Sequence, residues 1–240
     1  MKKLVFVFVF AFVLVNGSWA QKREGEFSFI PRVGLNLSNL GEMSVCTIDE
    51  SVHKSAVLPD FMLGFDVEYQ LLKPLGLSLG AYYSRQGCRW STFYDGVIYG
   101  AQNSASTSNT SQETGYEDQS MKLQYINIPL NVKYYVNDFL SVHAGVQAGI
   151  YLKGSYDCTT NDITINTKTG ERTYGVATKN HQDMADETNH LVWAVPVGVS
   201  LEYEHAIVDV SYSFPLSHFT NDYWGEGGNR VWTISVGYRL

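Results

Sequence analysis

The chain has 240 residues, with 24 acidic against 17 basic side chains and a formal net charge of −7. An acidic surplus excludes the clustered Lys and Arg that a nucleic-acid partner calls for, and the length fits one domain. Sixteen Tyr and 21 Gly beside only 6 Pro suit β-structure with many exposed rings.

Residues 1–20 read as a secretory signal peptide. Lys2 and Lys3 precede an unbroken apolar run from Leu4 to Val15, and Ser18 and Ala20 put small residues at the −3 and −1 positions, so cleavage is expected before Gln21. The run is too short for the ~20 residues of a spanning helix, and Gln21 is not the Cys of a lipid anchor. Removing two lysines leaves 17 − 2 = 15 basic residues against 24 acidic ones, a mature charge of −9. The mature domain is expected over 21–240.

From Phe27 to Leu37 a first strand is expected. Phe61, Leu63, Phe65, Val67, Tyr69 and Leu71 then alternate with Met62, Gly64, Asp66, Glu68 and Gln70, the period-two pattern of a sheet with two unlike faces. After a Lys73-Pro74 turn, Leu77, Leu79, Ala81 and Tyr83 oppose Ser78, Gly80, Tyr82 and Ser84. Ile126 to Val136 sets its even-numbered apolar residues against Asn127, Pro129, Asn131, Lys133 and Tyr135. Asn137-Asp138 turns into a strand over 140–152, apolar at even positions and carrying Ser141, His143, Gly145, Gln147, Gly149 and Tyr151 at odd ones. Strands over 191–203, 208–214 and 232–240 complete a set of eight. Between Tyr125 and Ile126 the apolar set changes from odd to even, which predicts a β-bulge there.

Short turns join strands two to three, four to five and six to seven. The other connections, about 38–59, 87–120, 154–189 and 215–229, are long and rich in Ser, Thr, Asn, Asp and Gly. Short turns at one end and long polar loops at the other, with an even strand number, fit an eight-stranded antiparallel up-and-down transmembrane β-barrel in the outer membrane. A soluble sandwich or a soluble periplasmic binding barrel would turn its apolar face inward. Against that stand polar faces made mostly of Gly, Ser, Asn and Gln, and rings near the ends of apolar faces: Tyr69, Tyr83, Tyr134, Trp193, Tyr203, Tyr212, Trp232 and Tyr238. Rings with polar tips belong at a lipid–water boundary, so outer-membrane lipid is the expected solvent, with the loops outside and both termini periplasmic.

"RVGLNLS" at 32–38, "GFDVEY" and "LGLSLGAYYSRQG" within 64–87, "YINIPLNVKYY" at 125–135, "SVHAGVQAGIYLKG" at 141–154 and "NRVWTISVGYRL" at 229–240 together resemble the PorT-like family of outer-membrane β-barrels. The resemblance covers the mature chain in strand order. It departs at the terminus, where Leu240 stands in place of the usual Phe with Tyr238 two residues earlier. It implies fold and location, admits a link to protein secretion, and carries no shared activity.

The inward-facing ionisable residues are Arg32, Asp66, Glu68, Lys133, His143, Glu202, Asp209 and Arg239. An eight-stranded interior is filled by side chains, and buried charges must pair, so these are expected to form a structural network, not a conducting path. Some barrels of this size modify lipids with Ser, His and an acid, and His53 and His218 are the pair to test for such an enzyme; no GxSxG-type nucleophile accompanies them. The segment from His181 to His190 carries oxygen donors but lacks calcium-loop spacing, and no Cys/His pattern suggests zinc; no metal or cofactor is expected. Cys46, Cys88 and Cys158 allow one disulfide outside the cytoplasm, with three possible pairings. Residues 163–174 are expected to form a hairpin above the membrane. Trp90, Phe93, Tyr94, Tyr99, Tyr116, Tyr174, Tyr223 and Trp224 offer a contact surface for partner membrane or surface proteins, or else pack the loops over the barrel. The expected role is that of a non-enzymatic accessory or scaffold, or a ligand-contacting protein, whose outer loops meet a partner protein or surface ligand.

Overall fold

The computed structural model describes residues 24–41, 44–46, 52–97, 110–166, 168–220 and 228–240. The expected signal peptide lies outside them. Among the described residues thirteen strands occur: β1 (Phe27–Asn39), β2 (Ser44–Cys46), β3 (Val52–Lys54), β4 (Ala56–Leu72), β5 (Leu75–Arg89), β6 (Phe93–Val97), β7 (Thr110–Tyr135), β8 (Leu140–Asn166), β9 (Arg172–Tyr174), β10 (Thr178–Asp183), β11 (Leu191–Tyr203), β12 (Ala206–Pro215) and β13 (Arg230–Tyr238). Eight of them, β1, β4, β5, β7, β8, β11, β12 and β13, pair antiparallel in that order, and β13 pairs back onto β1. The ring closes without an edge at membrane level, where an unpaired backbone group would be costly.

Alternation decides which face is outside. Phe61, Leu63, Phe65 and Val67 are exposed while Met62, Asp66, Glu68 and Gln70 are buried, and the same alternation of outward apolar and inward polar residues runs through β5, β8, β11, β12 and β13. A water-soluble fold with its apolar residues outward and its charges inside would have no driving force to form; lipid supplies the matching solvent. Tyr69, Tyr134, Tyr203 and Tyr238 lie toward the short-turn end, and Tyr83, Trp193, Tyr212 and Trp232 toward the other, giving two girdles. Tyr212 and Trp232 face each other across β12 and β13 with centroids 4.9 Å apart.

Several prolines sit inside the ring strands, and Pro129 and Pro196 show how the ladder accommodates them. Pro129 stays in register with β8 but falls in a gap of the β5 ladder, and Pro196 pairs with β12 but falls in a gap of the β8 ladder. Each has no N–H for one neighbour only, so one ladder per proline is interrupted. Gly87, at φ 150°, lets β5 and β7 close up: a Cβ there would meet the Met121 carbonyl oxygen at 1.9 Å.

The strands differ from expectation in length. β7 has 26 residues and β8 has 27, whereas about ten cross a bilayer as a tilted strand. Much of 110–120 and 154–166, expected as loop, is therefore paired strand standing beyond the membrane: β6 lies on β7, β7 on β8, and β9 and β10 on the far side of β8. Beyond the lipid-facing band no run of outward apolar residues is needed, and none marks these segments in the sequence. The expected hairpin over 163–174 forms, with Ile163 opposite Tyr174 and Gly170 at φ 72° in its turn.

The bulge expected between Tyr125 and Ile126 is not there. Pairing is unbroken through both residues on both sides; the register shift falls one step earlier, between Gln124 and Tyr125, with the extra residue on β8 opposite them. Met121, Leu123 and Tyr125 point inward like Asn127 and Lys133. What changes near Tyr125 is the chemistry of the interior, from polar to apolar.

Candidate functional site

All eight ionisable residues singled out from alternation are buried inside the ring, in two groups. Nearest the short turns, Lys133 Nζ lies 2.8 Å from Glu68, and Arg239 lies 2.6 Å from Glu202 through Nε and 3.2 Å from Glu68 through its terminal nitrogen. The Tyr135 hydroxyl donates to Glu68 and accepts from Arg239 at 3.1 Å. Two carboxylates here meet two permanent cations. Strands β4, β7, β11 and the chain end after β13 supply these residues, so the group ties the ring together across its lower end.

One layer higher, Arg32 reaches Asp66 at 2.6 Å and Asp209 at 3.8 Å. Ser200 Oγ donates to Asp209 at 2.6 Å, the Tyr82 hydroxyl donates to Asp66, and His143 Nδ1 lies 3.5 Å from Asp209. Gly198 makes room for this imidazole: a Cβ there would meet His143 Cε1 at 2.5 Å. Sequence reasoning passed over Tyr82, Tyr135 and Ser200 as members, although their inward parity was readable. Above lies a neutral layer, where Asn36 donates to Ser84 at 2.8 Å and Thr233 donates to Asn36 at 2.9 Å. A cavity of about 60 Å³ lies among these residues, lined by Arg32, Asp66, Lys133, His143 and Asp209 with Asn127, Asn131 and several serines. That is room for a few waters.

At the long-loop end the interior turns apolar. Leu40, Cys88, Trp90, Met121, Leu123, Tyr125, Tyr151, Met184 and Phe219 form one buried cluster over the polar lumen. Met184 and Phe219 come from connections, not spanning strands, and are tied down by the backbone: Asn189 N donates to the Phe219 carbonyl at 2.8 Å, and Met184 N to that of Gly154 at 3.2 Å. The barrel is thus closed below by ion pairs and above by an apolar cap.

The expected ring surface is corrected in part. Trp90 belongs to the cap, its ring edge-on to Tyr156, and Phe93 is buried, stacked between His53 at 4.4 Å and Tyr116 at 5.1 Å. They pack the extension against the barrel mouth and offer no contact surface. Tyr94 and Tyr174 are exposed; Tyr99, Tyr223 and Trp224 lie outside the described residues. Cys88 and Cys158 are both free, buried thiols. Every pairing among the three cysteines needs one of these two, so none of the three pairings that the sequence allows is formed. Cys88 is on β5 and Cys158 on β8 with β7 between; two strand spacings put them roughly 10 Å apart, beyond the ~7 Å that a disulfide bridges.

Of the histidines considered for chemistry, His53 stacks on Phe93, His190 is edge-on to Tyr151, and the exposed His218 gives its carbonyl to Asn189 Nδ2 at 3.0 Å. No serine or acid is hydrogen-bonded to the rings of His53 or His218 among the described residues. Nor do three or more His, Cys, Asp or Glu converge there in a group able to hold a metal.

His181 Nδ1 lies 2.6 Å from Asp157, tying β10 to β8 outside the membrane. That hydrogen bond holds the Asp157 carboxyl below its ordinary value against partial desolvation, with Lys122 adding at 3.5 Å. A depressed carboxylate contributes stability that is present above the unfolded value, about 3.9, and is lost as pH falls through the lower folded one. Carboxyl carbon NMR is expected to show Asp157 titrating below about 3.9, and His181→Ala to return it upward. An ordinary midpoint in the intact protein would contradict the pairing.

A search of curated proteins finds no matching relative. Solved structures that resemble the chain include Ail, the attachment invasion locus protein of Yersinia pestis, at 13% identity, covering 91% of this chain and 100% of that one with a TM-score of 0.39. Neisserial surface protein A matches at 9% identity over 89% of this chain and 97% of that one, TM-score 0.39. CarO of Acinetobacter baumannii matches at 13% identity over 87% and 97%, TM-score 0.37. The family model described as "Outer membrane protein beta-barrel domain" matches residues 19–221. That span is most of the chain, and the chain belongs to this family of outer-membrane β-barrels.

Proposed function

We propose that this barrel is a non-enzymatic accessory or scaffold, anchored by a sealed ring and acting through the strands that stand beyond the membrane. The observation that carries the reading is the unequal construction of its two ends. The short-turn end carries only brief connections, Lys73-Pro74, 136–139 and Glu204-His205, while β7 and β8 continue far past the lipid-facing band with β6, β9 and β10 built on them. A lumen filled by ion pairs and capped by apolar side chains gives solutes no route, so function falls to the surface carried on this rigid stem. In this reading the long end faces outside and both termini are periplasmic. A PorT-like affiliation, with its link to secretion, rests on the strand motifs alone.

An epitope inserted at the Lys168–Gly170 turn tests the orientation. Antibody is expected to bind intact cells. Binding only after the outer membrane is opened would overturn the reading, as would single-channel conductance in planar bilayers.

A further inference from the structure

We propose that the free edge of β10 pairs with the same edge of a second copy of this chain in a facing membrane, making the protein a homophilic contact between cells. This rests on the outward orientation proposed above. Among the described residues β10 is hydrogen-bonded to β8 alone and ends its side of the sheet. Every residue from Arg172 to Asp183 is exposed, and outside the lipid-facing band Tyr174 and Val176 are left 58% and 89% exposed on this segment. An unprotected edge is a template for another strand.

Backbone parity tells which groups are available. Met184 N donates to the Gly154 carbonyl, so the even-numbered residues turn toward β8 and Lys179, His181 and Asp183 turn their N–H and C=O groups to the open side. The edge reads Thr178-Lys179-Asn180-His181-Gln182-Asp183. Paired antiparallel with itself about His181, it sets Lys179 opposite Asp183 twice and Asn180 opposite Gln182 twice. The three odd-numbered pairs are then the hydrogen-bonded ones, each exchanging two bonds. A slip of one residue on each strand sets Lys179 against His181 or against Ala185, so the charges match in one register only. Lysine on an edge usually discourages pairing; in this register it meets an acid instead.

Symmetry then dictates where the second copy sits. The twofold axis of such an antiparallel pair is perpendicular to the sheet. β10 continues the barrel wall, whose perpendicular is radial and therefore lies in the membrane plane. Rotation about it inverts the second barrel, so the two copies reach toward each other from opposed membranes. One short strand pair is weak, and many copies per cell supply the avidity.

The test uses the full chain displayed on a non-aggregating Gram-negative host, with the turn epitope confirming display and heat-modifiable migration confirming folding. Asp183 Oδ1 also accepts from Ala185 N, so folding is checked for each variant. Cells bearing the unaltered chain are expected to clump. Lys179→Asp and Asp183→Lys, each alone, should form at least about tenfold fewer clumps, because like charges then oppose. Mixing the two populations in different colours should restore mixed clumps, and the double variant should clump with itself. The inference is overturned if the displayed chain leaves cells dispersed, if either single reversal clumps as before, or if the mixture stays dispersed. Failure of antibody to reach the turn on intact cells would instead bring down the orientation and this inference together.

Discussion

Replacing Glu68 by alanine is expected to cost about 3–5 kcal/mol of barrel stability, the range for leaving a buried charge without its partner. Lys133 is 2% exposed and Glu68 1%, and among the described residues Lys133 has its ion pair with Glu68 alone. Arg239 keeps Glu202, and Tyr135 keeps its bond from Arg239, so the loss concentrates on the lysine. Urea unfolding of the barrel in lipid vesicles, followed by heat-modifiable migration, measures it. Removing both charges by Glu68→Met with Lys133→Met leaves the Arg239–Glu202 pair balanced and is expected to recover most of the loss, since a buried pair replaced by apolar side chains of similar size is often neutral. Equal losses in the single and double variants would show that the layer is held by something other than this pairing.

The second large effect is expected at the other end. Phe219 is 0% exposed at the centre of the cap, and Phe219→Ala is expected to cost about 3–5 kcal/mol if the cap cannot collapse around the space. Met184 and Phe219 sit in connections outside the barrel strands, so opening there is expected to be local. Hydrogen exchange should quicken at Asn189 and Tyr151, whose amides bond to the Phe219 and His190 carbonyls, and stay unchanged at Lys133 and Glu202. Phe219→Leu, which keeps most of the volume, should change little. Unaltered protection in Phe219→Ala would mean that the ring does not close the mouth.

These two ends were unequally legible. Wherever lipid lies on one side and the lumen on the other, a strand must alternate, so Asp66, Glu68, Lys133, Glu202 and Asp209 announced their inward position by parity. Leu123 and Tyr125 share that parity but are apolar, so the apolar set changes from odd to even at Tyr125 without any change of face; the cap is an apolar interior that follows the inward register. Beyond the membrane the constraint vanishes. Residues 110–120 and 155–166 pair along most of their length, apart from a register shift between Glu117 and Ser120, but their few apolar side chains, such as Ile163 and Ile165, are too sparse to mark a lipid face, and nothing in their pattern separates such strands from loops. Trp90 and Phe93 were grouped with Tyr94 for the same reason: whether a loop ring is buried depends on partners distant in the chain, such as His53 and Tyr156.

Everything above depends on the apolar face meeting lipid and the polar face meeting the lumen. Photolysis of a carbene-generating lipid in vesicles holding the intact barrel, read residue by residue by mass spectrometry, measures that directly. Labelling is expected at Leu130, Val132, Val199 and Leu201, and not at Asn131, Lys133, Ser200 and Glu202, which alternate with them. Labelling without this alternation, or confined to the second set, would contradict the account.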